Sequence, residues 1–161
     1  MSEIEPYPEI DPSLYSGPPS DIEPIIDEIN FLFAKYDCWF YGKEGNDFHN
    51  NLQFAVKDLA KRFGLFGICE YPIQNRGDGR NGYIDVAWVD KKLKPILLLE
   101  LDRRFRNKSI YKLHSSKAPI KIWLLFAGKP VSFQEGYKKY YDRFSDFPKD
   151  IILIERERVW V

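Results

Sequence analysis

GYIDVAWVDKKLKPILLLELDRRFRNKSIYKLHSSK, residues 82–117, carries the strongest structural pattern in the chain. It holds two apolar runs rich in Ile, Val and Leu, Tyr83–Val89 and Pro95–Leu101, with the short polar link Asp90–Lys94 between them. Such runs, joined by a link of hairpin length, predict two adjacent buried strands. Acids interrupt the apolar pattern at Asp85, Glu100 and Asp102. Side chains two apart on a strand share a face, so Glu100 and Asp102 are expected to point one way and Leu99 and Leu101 the other. A carboxylate inside a buried strand costs several kcal/mol unless something pairs with it. Three carboxylates converging on one sheet surface are most easily explained by a bound cation.

Downstream, Arg103, Arg104 and Arg106 lead to a segment in which Asn107 is suited to cap a helix. Ile110 and Leu113 are its expected buried pair, and Pro119 limits its extent. Ile120–Ala127 reads as a further buried strand. Two apolar strands bridged by a helix predict a parallel, right-handed crossover. Ser132-Phe133-Gln134-Glu135 has capping-box form, followed by a helix with Phe133, Tyr137, Tyr140 or Tyr141, and Phe144 on its apolar face. Asp150–Glu155 and Val159–Val161 are expected to make a final strand or an edge hairpin.

Upstream, Leu65–Ile73 predicts a strand carrying one acid, Glu70. The Gly-rich turn Gln74–Gly82 is no phosphate loop, because GxxxxGK[ST] is lacking and a strand follows it. Asn46 or Asp47 is expected to cap a helix with the stripe Phe48, Leu52, Ala55, Leu59 and Phe63, stopped by Gly64. His49, Asn50, Gln53, Lys57 and Asp58 lie off that stripe, and His49 is expected to be solvated, a lesser candidate for the site. Ser20-Asp21-Ile22-Glu23 has capping-box form, and Ile22, Ile25, Ile26, Ile29 and Phe33 have helical spacing to about Lys35. Tyr36–Gly45 reads as a loop or short strand, with Trp39, Phe40 and Tyr41 expected in core packing rather than base stacking.

Met1–Pro19, with five prolines and the acids Glu3, Glu5, Glu9 and Asp11, has little to bury and is expected to be an extended or disordered arm. Residues 20–161 are then expected to form one domain, large enough for a proper core. The 12 Phe, 10 Tyr and 4 Trp predict a core rich in large residues. The 24 basic and 24 acidic side chains cancel, so no global charge argues for nucleic acid, although the segment from Arg103 to Lys139 is strongly basic. The longest apolar run falls far short of a membrane span. Cys38 and Cys69 lack metal-ligand spacing, and with no signal peptide in view a cytoplasmic setting is expected.

The order helix, strand, strand with Asp, strand with Glu-x-acid, helix, strand resembles the PD-(D/E)xK nuclease superfamily, over roughly residues 46–127. The resemblance implies an α/β, restriction-endonuclease-like αβββαβ core with a mixed central sheet flanked by helices. It also implies a metal-dependent endonuclease that hydrolyses phosphodiester bonds in nucleic acid, with DNA the expected polymer. Asp85 matches the family's Asp in the second core strand, and Glu100 its Glu in the third. Asp102 stands where a Lys is expected, so KSIYKL in the next helix looks like a migrated-lysine variant, with Lys108 as the functional cation and Lys112 behind it. The family's extra Glu on the first core helix has no counterpart; Asn50 or Gln53 stands there, and Glu70 is the alternative. Many nucleases of this fold act as homodimers.

The residue types suit that chemistry. Mg²⁺ or Mn²⁺ prefers hard oxygen ligands, which Asp85 and Glu100 supply with the Leu101 carbonyl, while Asp102 is available for a second ion or for water. Lys108 would stabilise developing charge, and Arg103, Arg104 and Arg106 would neutralise backbone phosphates. The alternative is a nuclease-like domain without catalysis, serving as a nucleic-acid-binding or protein-assembly module. The change from Lys to Asp at position 102 favours that alternative.

Overall fold

The computed structural model describes residues 22–40, 45–76, 79–103, 106–126 and 151–156. The acidic arm, the capping box at Ser132 with its helix, and Val159–Val161 lie outside the described residues. The chain is α/β: a five-stranded mixed sheet flanked by helices.

Helix α1 spans Glu23–Trp39 and buries Ile25, Ile29, Leu32, Phe33 and Tyr36. Ile22 is its N-cap, without a side-chain cap, and Ser20 and Asp21 of the anticipated capping box lie outside the described residues. Pro24 falls in the first turn, where a missing N–H is harmless and a fixed φ is an advantage. The helix also continues past Lys35 through residues expected to form a loop or strand. Tyr36 extends the buried stripe and stacks on Phe40 at a centroid distance of 6.0 Å. Phe40 packs against the core, whereas Trp39 is exposed beneath Lys35, whose Nζ is 5.0 Å from the ring centroid.

Helix α2 spans Gly45–Leu59 and passes through a 3-10 turn, Ala60–Phe63. Asn46 and Asp47 are therefore inside the helix rather than capping it. Phe48, Leu52, Ala55 and Leu59 are buried as the stripe requires, joined by Val56. Gly64 ends the turn at φ 72°, a conformation that costs glycine little.

Strands β1 (Phe66–Ile73), β2 (Gly82–Val89) and β3 (Pro95–Asp102) form an antiparallel meander. Gly67 lets β1 lie directly on α2: a Cβ there would come within 2.0 Å of the Lys57 carbonyl oxygen. The polar link before β3 is closed by Asp90, whose Oδ1 accepts the Lys92 and Lys94 amides, each at 2.9 Å. Helix α3 (Asn107–Ser115) crosses to β4 (Ile120–Leu125), which pairs parallel to β3 as anticipated. Arg106, extended and without a side-chain cap, is the N-cap of α3, and Asn107 is already helical. Strand β5 (Ile152–Glu155) adds parallel to β4 at the edge.

The core has two layers. Under α1 and α2 lie Val86, Trp88, Leu97, Leu99, Leu101, Ile122 and Leu124, and the Trp88 indole donates to the Val56 carbonyl at 3.0 Å. Under α3 lie Ile84, Ala87, Val89, Leu98 and Trp123, with Ile110 and Leu113. The central strand β3 is buried from Ile96 to Asp102. Its five aliphatic side chains, at about 1.5–3 kcal/mol each, contribute on the order of 10 kcal/mol, enough to carry two carboxylates into the sheet provided these find partners. No described helix is long and apolar enough to cross a membrane.

Candidate functional site

The β2–β3 ladder pairs Val89 with Pro95, shifts register between Val89 and Trp88, then runs from Trp88–Leu97 to Val86–Leu99 and stops there. In the same register Asp85 would fall opposite Glu100. Instead Asp85 Oδ2 accepts the Leu101 N–H at 2.8 Å, so a side-chain carboxylate replaces the next backbone acceptor. The strands part at this point, and an opening of about 360 Å³ forms between α2 and α3. Asp85, Glu100 and Asp102 all line it, which brings the three acids of the hairpin to one cavity. Leu99 and Leu101 face the opposite layer.

Each acid has its own surroundings. Asp85 is buried enough to raise its carboxyl, yet the neighbouring His49 and the hydrogen bond from the Leu101 amide outweigh this and hold it below the ordinary range. Glu100 is 2% exposed. Burial and the adjacent Asp85 charge push its carboxyl well above the ordinary value, against the opposing pull of Lys112. Of the two neighbouring acids, Glu100 therefore holds a proton more readily than Asp85. Lys112 Nζ lies 2.6 Å from Glu100 Oε1 and donates to the Tyr83 carbonyl at 2.8 Å. Asp102 is raised by burial, partly offset by hydrogen bonds from Ser109 and from Trp123, whose Nε1 lies 2.8 Å from Oδ2.

His49 differs from its sequence expectation. Its side chain is 24% exposed, with Nε2 at 3.1 Å from the Leu101 carbonyl and 3.6 Å from Asp85 Oδ2. Burial lowers its basicity, but the Asp85 carboxylate outweighs that and raises it overall. Gln53, also expected off the core, is buried. The sequence signal for both is their spacing: His49 and Gln53 are one helical turn apart, on the flank of the apolar stripe that meets the sheet.

The cations divide by depth. Arg103, Arg106 and Lys108 line the cavity but are exposed, whereas Lys112 reaches the buried Glu100. Arg106 Nε stands 3.9 Å from Asp102 Oδ1. Arg104 lies outside the described residues. Glu70 is not at the cavity; it accepts from Gln53 on the far side of Asp85.

The donor set can be matched to a metal. Among the described residues no group of three or more His, Cys, Asp or Glu side chains is arranged to hold an ion. Two adjacent carboxylates beside a backbone carbonyl do fit Mg²⁺ or Mn²⁺, since Mg²⁺ keeps several waters and needs only one or two carboxylates. No protein-family model matches the chain, and no curated protein or solved structure matches it.

Proposed function

We propose that this protein is a metal-dependent nuclease of the PD-(D/E)xK type, hydrolysing phosphodiester bonds in nucleic acid, with DNA the expected polymer. The observation that carries the reading is the Asp85–Glu100 pair at the end of the β2–β3 ladder, with Lys112 at 2.6 Å from Glu100. The succession α2, an antiparallel β1–β2–β3 meander, α3 and a parallel β4 supports a restriction-endonuclease-like core.

Asp85 and Glu100 would hold the ion through hard oxygens, aided by the Leu101 carbonyl. Bound there, Mg²⁺ or Mn²⁺ would polarise a phosphoryl oxygen and lower the pKa of a water. Lys112, held between Glu100 and the Tyr83 carbonyl, would stabilise charge developing on the phosphate. Asp102 stands apart from this pair: its carboxylate is spent on Trp123 and Ser109, so it ties α3 to β4 rather than completing the ligand set. Arg103, Arg106 and Lys108 at the mouth would neutralise flanking phosphates.

The test is cleavage of single-stranded, duplex and branched DNA and RNA with Mg²⁺ or Mn²⁺, beside Asp85→Asn. Cleavage that disappears in the variant supports the nuclease. Equal cleavage by the variant removes the site assignment. If the unaltered protein neither cleaves nor binds metal by calorimetry, the non-catalytic binding or assembly module takes its place.

A further inference from the structure

Strands β1 and β2 share an irregularity directly behind the acids. Their ladder keeps one register from Phe66–Val89 to Cys69–Val86 and again from Tyr71–Ile84 to Ile73–Gly82, but it skips the Glu70–Asp85 pair. Glu70 has φ 54°, the left-handed region that a residue with a Cβ seldom enters inside a strand. Both strands change face at this step. Ile84 packs under α3, whereas Val86 and Trp88 pack under α1 and α2, although alternation would put all three on one face. In β1, Ile68 and Tyr71 pack in the same α3 layer, although alternation would put them on opposite faces.

One side chain spans the switch. Gln53, 6% exposed on α2, donates from Nε2 to the Asp85 carbonyl at 2.8 Å and to Glu70 Oε1 at 3.1 Å. An amide nitrogen carries two N–H donors, so both are engaged. Strained backbone persists only where its surroundings over-determine it, and it collects at functional sites. Neither Gln53 nor Glu70 lines the cavity, so neither is placed to touch substrate.

We infer that Gln53 is a positioning residue for Asp85, a role that rests on the metal-site reading above. By gripping the Asp85 carbonyl and the Glu70 carboxylate together, it holds the face switch that turns the Asp85 carboxylate onto the Leu101 amide and toward Glu100. Without that grip Asp85 relaxes toward ordinary strand geometry, and the acid pair opens.

The experiment compares Gln53→Met, similar in size but without donors, with the unaltered chain by amide hydrogen exchange, Mn²⁺ calorimetry and thermal melting. The expected result is exchange at the Leu101 amide faster by on the order of 10-fold, with β4 amides unchanged, and Mn²⁺ affinity reduced on the order of 10-fold. Leu101 exchange equal to that of the unaltered chain would overturn the inference. Should Gln53→Met not fold, Glu70→Gly decides. Glycine accepts the positive φ and removes one of the two acceptors, so faster Leu101 exchange supports the role and unchanged exchange overturns it. If the unaltered chain binds no Mn²⁺, the metal-site reading fails, and the Leu101 amide alone still judges the positioning role.

Discussion

Lys112 Nζ sits 2.6 Å from Glu100 Oε1, and the two side chains are only 14% and 2% exposed. Lys108, one turn earlier on α3, lines the same cavity but stays exposed at its mouth. Four residues on a helix advance about 6 Å along its axis, so these lysines occupy different depths on one face. The first turn of α3 is tied to the sheet through Ser109 and Asp102, and that anchor leaves the second lysine, not the first, over Glu100. The contact with the buried acid is therefore made by Lys112, to which we give the cation role proposed from the sequence for Lys108.

Lys112→Ala is accordingly expected to slow cleavage on the order of 10²-fold with little change in KM, as for loss of a preorganised charge-stabilising donor. Lys108→Ala should instead raise KM and flatten the salt dependence of binding, as for a phosphate contact. Steady-state kinetics across a salt series tests both. A larger kcat loss in Lys108→Ala would return the cation role to that residue.

Stability should depend on pH and on metal together. Glu100 is raised in the folded state, so the folded chain binds the extra proton and stability falls as pH climbs from the ordinary glutamate range toward the folded value. His49 is also raised, and its contribution, complete below the ordinary imidazole range, is lost as pH rises through its folded value. Asp85 is lowered and acts oppositely, its contribution being lost only when pH falls through its depressed value. Metal-free protein should therefore melt lower at about pH 8 than at about pH 6. Because a carboxyl must shed its proton to ligate, Mg²⁺ should raise Tm more at about pH 8 than at about pH 6. Melts in chelator and in Mg²⁺ at both values check this; an equal Mg²⁺ increment would mean that Glu100 does not release a proton on binding.

Asp102 separates support from ligation. Asp102→Ala removes the acceptor of the buried Trp123 indole and of Ser109, a loss of about 1–3 kcal/mol, so Tm should fall by roughly 5 °C. Asp102→Asn keeps an oxygen acceptor and should recover most of that loss. Mn²⁺ stoichiometry by calorimetry should be the same in Asp102→Asn as in the unaltered chain. A lost ion in that variant would restore Asp102 to the ligand set.

The strands of the 82–117 stretch, the parallel crossover, and the side of β3 on which Glu100 and Asp102 stand are legible in the residue order. Apolar runs and two-residue alternation are local patterns, and burial of β3 in the middle of the sheet enforces them. Helix ends were less legible: Tyr36 carried α1 past its expected limit because its ring found a place in the core, and Arg106 rather than Asn107 precedes α3. The tertiary structure alone decided that Lys112 touches Glu100, that Asp102 serves Trp123, and that His49 and Gln53 meet Asp85 from α2. These pairings depend on where a whole helix comes to rest over the sheet, to within one turn. That position is set by the packing of Phe48, Leu52, Ile110 and Leu113, not by any pattern near the acids.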